Sequence, residues 1–392
     1  MACSEVKPSR RQRPWPVGLL GMLVLVFVVE VNLPRFDSRL TPLGASNWRQ
    51  TGAAARTSAT HVDVLLFGDS LVKTGLLPTI FEEERGLTSY NLALLGAPPS
   101  ASYFMLRRAL DSGARPRAIV LDAQPSILME CAPSSNPREW AELLSLKEAM
   151  QLAKVEHLPD VITHYVMTRY IPSVRYRFDI QKAASDLFRR TTSSSDVSWL
   201  ALHDRQQDKN RGGYVNPSTP GRFGPDSRPN GKVLQEEVAT CYPGAWWGRP
   251  PNLAFLEKFL KLAESHEIPV FFLIPPIHPG VQSERERLGL DELYLTLIRK
   301  IQRRYRSVIV VDGRHSGFDH GLFWDAFHLG RQGATALSRG LAEVIGTRLA
   351  HPSDSDDHWV SLPTFVEPSR WVAIEDTDES IALLRDPGTI RR

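Results

Sequence analysis

Five short apolar runs, separated by segments of helical periodicity, constrain this chain more than any other feature. Val62 to Phe67 ends in Gly68, and Thr88 to Leu92, Ala118 to Leu121, Ile268 to Ile274 and Ser307 to Val311 follow. Each run is nearly continuous in apolar residues rather than alternating, as strands buried on both faces of a parallel sheet require. Between them, Tyr103, Leu106 and Leu110 share one helical face after Pro98-Pro99-Ser100. Leu253, Leu256, Phe259, Leu260 and Ala263 form a second stripe, and Leu337, Leu341, Val344 and Ile345 a third. Strand–helix alternation of this kind predicts an α/β fold on a five-stranded, mostly parallel sheet. The 392 residues are 42% hydrophobic and 23% charged, which suffices for a core and excludes wholesale disorder.

A second constraint sits at the N-terminus. Lys7, Arg10, Arg11 and Arg13 precede a charge-free run from Trp15 to Val29; Glu30 interrupts it and Val31 to Leu33 extend it. Residues 15–33 are read as a transmembrane signal anchor, with 1–14 a basic cytoplasmic segment by the positive-inside rule. A cleaved signal peptide is the alternative, but Val29-Glu30-Val31-Asn32-Leu33-Pro34 offers no small-x-small cleavage site. The rest of the chain is then expected on the extracytoplasmic side of a cell membrane. Residues 34–60 are polar and read as a stalk, 61–350 as the α/β domain, and 351–392 as an extension with one or two short strands.

The interval 133–250 breaks the alternation. It reads as helical around 139–157 and 181–190, then as long loops over 191–251, rich in Ser, Gly, Asn and Pro. An insertion of this size usually caps a site or serves a partner. Cys131 and Cys241 fall in irregular stretches on the outer side, where a bridge and two separate thiols are both open. With 47 basic against 44 acidic residues, net charge +3, no broad basic field for nucleic acid is expected. Neither Cys-x-x-Cys nor His-x-x-x-His spacing occurs in the folded region, and a phosphate-loop pattern is missing, so no metal and no cofactor are expected.

Chemistry concentrates in two segments. Gly68-Asp69-Ser70-Leu71 follows the first strand, where open α/β sheets place their ligands. A serine hydroxyl needs a base to attack a carbonyl. Asp325-Ala326-Phe327-His328 follows the fifth strand, and its spacing lets Asp325 orient His328 while His328 takes the proton of Ser70. Asp69 is read as a cap for the following helix. His315 and His320 are alternative bases without an Asp three residues before them, His278 lies past a strand end and can line the site, and Tyr242 with Trp246-Trp247 can stack on sugar rings or pin a loop.

Gly-Asp-Ser-Leu near the start of the folded region, with Asp-x-x-His near its end, resembles the SGNH/GDSL hydrolase superfamily. The resemblance covers about 62–128 and 253–348. It implies a flavodoxin-like three-layer α/β/α sandwich with Ser70 as nucleophile, His328 as base and Asp325 as third triad member. The anchor and the Asn91-Leu92…Gly96-Ala97-Pro98 segment look like the membrane-anchored branch related to alginate O-acetyltransferases and lipoteichoic-acid D-alanylation proteins. That branch implies a polysaccharide or other acylated substrate and a multi-spanning membrane acyltransferase as partner. It also implies an oxyanion hole from the backbone of Ser70 and of Gly96. The family's third donor is Asn in Gly-x-Asn; this chain reads Asp122-Ala123-Gln124, so either the Gln124 amide donates instead or the hole has only two donors, and Asp122 is a poor substitute. The expected function is a serine esterase or O-acyltransferase, with a non-catalytic glycan- or partner-binding protein as the alternative.

Overall fold

A computed structural model describes residues 17–131, 137–189, 197–217, 236, 238–239, 248–351, 357–367 and 372–386. In chain order the elements are α1 (Val17–Asn32), α2 (Leu43–Ala54), β1 (Val64–Phe67), α3 (Ser70–Gly75), α4 (Pro78–Arg85), β2 (Ser89–Asn91), α5 (Pro99–Asp111) and β3 (Ala118–Leu121). The short α6 (Pro125–Met129) follows β3, and the insertion carries α7 (Pro137–Leu143), α8 (Leu146–Glu156), α9 (Asp160–Tyr170), α10 (Pro172–Arg175), α11 (Arg177–Arg189) and α12 (Trp199–Lys209). Then come α13 (Pro250–Ser265), β4 (Val270–Ile274), α14 (Pro279–Arg287), α15 (Leu290–Arg304), β5 (Val308–Asp312), α16 (Arg331–Ala350), β6 (Trp359–Ser361) and α17 (Thr377–Arg385).

The strands form one sheet in the order β2-β1-β3-β4-β5-β6, and every neighbouring pair is parallel. Leu66 lies opposite both Asn91 and Val120, and Val310 opposite Phe272 and Trp359. The sheet therefore has six strands, not the five expected. The sixth is three residues from the extension, too short to carry a periodic signal of its own. Successive side chains point to opposite faces. Leu65, Phe67, Phe272 and Val310 join one apolar cluster with Phe104, Phe259 and Ile298, whereas Leu66, Val120, Phe271 and Val311 join another with Phe81, Leu337 and Leu341. Both faces of the sheet are thus covered, which is why its strands read as continuous apolar runs.

Residues 34–60 are not a solvated stalk. Most of this stretch is helical, and Trp48 of α2 is fully buried, as are Ala45, Ser46 and Asn47. The segment looked like a linker because α2 buries small and polar side chains: Asn47 Nδ2 donates to Thr51 Oγ1 at 3.3 Å and stands 2.8 Å from His203 Nε2 of α12. The stretch read as loops over 191–251 likewise contains α12, whose Gln206 donates to Asp376 O (3.1 Å) and Ser380 Oγ (2.6 Å) and so ties the extension to the domain. Cys241, Tyr242, Trp246 and Trp247 lie outside the described residues, as do Cys3, the basic residues before α1, Asp354, Asp356 and Trp371; Cys131 is half-buried. Among the described residues, one stretch, Gly18–Phe36, is long and apolar enough to cross a membrane, and most of its apolar side chains are exposed.

Candidate active site

The nucleophile loop is built by the end of β1. Gly68 has φ +149°, and a Cβ there would lie 1.8 Å from Asp122 Oδ1, so only glycine fits. Asp69 then caps α3, its Oδ1 accepting the Leu71 N–H at 2.7 Å. That leaves Ser70 as the first residue of α3, with its hydroxyl at the carboxyl end of the sheet. The Asp69 N–H donates to Asp122 Oδ1 at 3.1 Å, so the residue just after β3 supports the loop from beneath.

His328 arrives on a tight loop before α16. The Asp325 carboxylate folds this loop, accepting the N–H groups of Phe327 (2.8 Å) and His328 (2.7 Å). The Trp324 N–H donates to His328 O at 2.8 Å. The same carboxylate contacts His328 Nδ1, at 2.7 Å from Oδ2 and 3.0 Å from Oδ1. A carboxylate beside Nδ1 assigns the ring proton to that nitrogen and leaves Nε2 as an acceptor. Nε2 lies 2.8 Å from Ser70 Oγ, so the hydroxyl donates to it. The three residues picked from sequence thus meet in one hydrogen-bonded line across 258 residues of chain.

The electrostatics favour a base. Burial pushes the His328 imidazole down, but the hydrogen bond and charge of Asp325, with the charge of Asp69, outweigh it and hold the imidazolium form above its usual range. Burial likewise pushes Asp325 up, and its hydrogen bonds to His328 and the loop N–H groups bring it below the usual carboxylate range. Asp122 behaves differently. It is completely enclosed, and burial followed by the charge of Asp69 raises it well above an ordinary carboxyl. Its Oδ2 is buried without a hydrogen bond of ordinary geometry. The charged form of Asp122 is therefore disfavoured, which weakens the repelling anion that its sequence position threatened.

A cavity of about 140 Å³ opens beside Ser70 and His328, lined also by Asp69, Gln124, Arg285 and Phe327. Gln124 is 7% exposed, and its Nε2 is buried and makes no hydrogen bond of ordinary geometry. Gly96 does not line this cavity. It sits at φ +64° in the loop after β2, and the Leu94 N–H donates to Gly68 O at 3.1 Å, which sets that loop beside the nucleophile turn. Two larger open hollows, of about 580 and 740 Å³, are lined by neither Ser70 nor His328. Among the described residues, no group of three or more His, Cys, Asp or Glu is arranged to hold a metal ion.

The other histidines have different roles. His278 does not line the cavity. Its N–H donates to Ala326 O at 3.2 Å, and its Nδ1 accepts the Gly280 N–H at 3.2 Å, so it braces the loop that carries Asp325 and His328. Burial and the neighbouring His320 depress its pKa to about 4, and its Nε2 lies 2.8 Å from His320 Nδ1. His315 is exposed against Glu286 at 3.0 Å. Several supports were not visible in the sequence motifs. Asn47 Oδ1 accepts the Leu95 N–H, and Trp48 Nε1 donates to Leu95 O, both at 2.9 Å, so α2 grips the residue before Gly96 from both sides. Arg285 is 3% exposed on the cavity wall, and its Nη2 donates to Asp291 Oδ1 at 2.7 Å. Only the local Arg-x-x-x-x-x-Asp spacing hinted at that pair. No family model matches this chain, and no curated protein matches its sequence.

Proposed function

We propose that this protein is a membrane-anchored serine esterase or O-acyltransferase of the SGNH/GDSL kind. The observation that carries the reading is the hydrogen-bonded line from Ser70 Oγ through His328 to Asp325, with separations of 2.8 and 2.7 Å. Apolar clusters on both sheet faces support a flavodoxin-like α/β/α sandwich around it. Ser70 Oγ gives its proton to His328 Nε2 and bonds to the ester carbonyl carbon. The oxyanion that forms is received by the N–H of Ser70 and the amide of Gln124, with the loop of Gly96 set beside them by the Leu94–Gly68 hydrogen bond. Collapse breaks the carbonyl carbon–alkoxide bond, and the departing alcohol takes the proton from His328. The acyl-Ser70 then passes its acyl group to water or a sugar hydroxyl, whose proton returns through His328 to Ser70.

A cavity of about 140 Å³ favours a short acyl group. The apolar Gly18–Phe36 helix supports attachment to the cell membrane. With the basic segment before it cytoplasmic, the site faces the extracytoplasmic side, where an acylated envelope polysaccharide is the substrate and a multi-spanning acyltransferase the acyl supplier. The test is covalent labelling of the full chain in detergent with a fluorophosphonate, read by intact mass. One adduct on Ser70, lost in Ser70→Ala and strongly slowed in His328→Ala, is the expected result. No adduct on folded protein would refute an activated nucleophile and leave a glycan- or partner-binding protein on the same fold.

A further inference from the structure

Within the Gly18–Phe36 stretch that can cross a membrane, the charge-free part ends early. In α1, Val17 to Val29 holds 13 residues without charge, which as helix span about 20 Å against a hydrocarbon core of about 30 Å. Glu30 then falls inside the margin of the leaflet into which α1 exits. Its carboxylate does not meet lipid alone: Oε2 accepts the Ser173 N–H of α10 at 3.0 Å, and α10 packs on α1. The insertion helices therefore reach down to the level of the last turn of α1.

Those helices are apolar where they should be polar. On α9, Val166, Met167 and Tyr170 are exposed on one face, Tyr170 by 66%. Ile171 follows, and Phe178 in the first turn of α11 is 62% exposed. Tyr170 and Phe178 lie three and five residues either side of Ser173, so chain length alone keeps them within roughly 11 and 18 Å of the Glu30 contact. Of the acids nearby, Glu142 is held by Arg175 and Asp179 by Arg138, while Asp160 is exposed at the far end of α9 from Tyr170. Arg177 lies 4.4 Å over the Phe178 ring, and Arg177 and Lys182 stay exposed. Aromatic rings beside basic side chains are the usual composition of a surface resting at lipid headgroups.

We infer that α9, α10 and the start of α11 form a membrane seat, with Tyr170, Phe178 and the Val166–Met167 face immersed in the leaflet around the α1 exit. The seat completes the short span of α1 and shields Glu30. Its occupant is the lipid surface, because the patch is continuous with the helix that crosses it. The inference rests on the anchor reading of α1, and its test separates the two. In full-length protein reconstituted in phosphatidylcholine–phosphatidylglycerol nanodiscs, the photo-crosslinker p-benzoylphenylalanine is placed singly at Leu23, Tyr170, Phe178 or Val366. These are exposed positions, the last beyond the edge strand β6. Irradiation followed by mass spectrometry is expected to show lipid adducts at positions 23, 170 and 178 and none at 366. Lipid adducts at 23 without them at 170 and 178 would overturn the seat and keep the anchor, and crosslinks from 170 and 178 to a polypeptide would give the patch to a protein partner instead. Absence of a lipid adduct at 23 would overturn the anchor and the seat with it.

Discussion

Replacing Asp325 by Asn tests the relay at its most informative point. Asn keeps an oxygen for the Phe327 and His328 N–H groups, so the loop closed at 2.8 and 2.7 Å survives. What disappears is the charge 2.7 Å from His328 Nδ1. With charge centres some 3–4 Å apart and an effective dielectric constant near 20, the imidazolium formed during attack loses about 5 kcal/mol of stabilisation. That corresponds to a rate loss of about 10³–10⁴. A quarter of each side chain is exposed, which places the expected loss towards 10³. The pH profile moves as well. Catalysis needs neutral His328, and Asp325 is what outweighs burial to raise its pKa above 6.5 in the parent protein. The acid limb of the parent rate therefore lies above that value. Without the aspartate, burial remains the largest influence, and the limb shifts below 6.5. Hydrolysis of an activated acetyl ester by the full chain, followed from acid to mildly alkaline pH, reads both quantities. A loss under tenfold, or an acid limb that stays or moves upward, would refute the relay.

Two further outcomes test the supports. Gln124→Ala is expected to lower kcat about 10²-fold with little change in KM, as loss of one oxyanion donor does; kcat retained within a factor of three would remove Gln124 from the oxyanion hole. Trp48→Ala empties a fully buried site and removes the bond to Leu95 O, so stability to urea should fall by about 3–5 kcal/mol; a change under 1 kcal/mol would return residues 34–60 to a dispensable linker.

The parts of the site legible in the sequence are those whose chemistry and position coincide. Ser70 follows a buried strand directly, and Asp325 and His328 are close enough in sequence to meet without help from the rest of the fold. The less legible parts depend on distant contacts. Asp122 looked like an anion facing an oxyanion. Its environment is set by the Gly68 backbone and Asp69, 53 residues earlier, and burial with the charge of Asp69 raises its pKa. Gly96 was legible as a turn glycine, but not that Asn47 and Trp48 hold its neighbour Leu95. The α9 helix escaped notice because its exposed side mixes Val166, Met167 and Tyr170 with Thr163, His164 and Arg169, so apolar and polar positions do not separate by face. A short strand was expected in the extension, but not that it joins the sheet, because a three-residue edge strand takes its pairing from β5, not from its own pattern.

The contacts of α2 link the chain leaving α1 to the candidate site. Asp37, just past the α1 exit, accepts hydrogen bonds from Arg49 of α2 at 2.7 Å, from Thr41 at 2.9 Å and from Tyr176 at 2.7 Å. Burial pushes this carboxyl up, yet those donors and the charge of Arg49 hold it at about 2, so it stays ionised and bound throughout the pH range of the assays above. One turn of α2 therefore holds the exit through Arg49 and the loop before Gly96 through Asn47 and Trp48. A flexible stalk would let the domain tumble above the bilayer, and the oxyanion loop would then be indifferent to the anchor. Here the chain leaving α1 is packed into the wall that supports that loop. The Ser70 cavity is thereby tied through α2 to the chain leaving α1, the arrangement that the proposed function uses to hold the site towards a membrane-embedded acyl supplier.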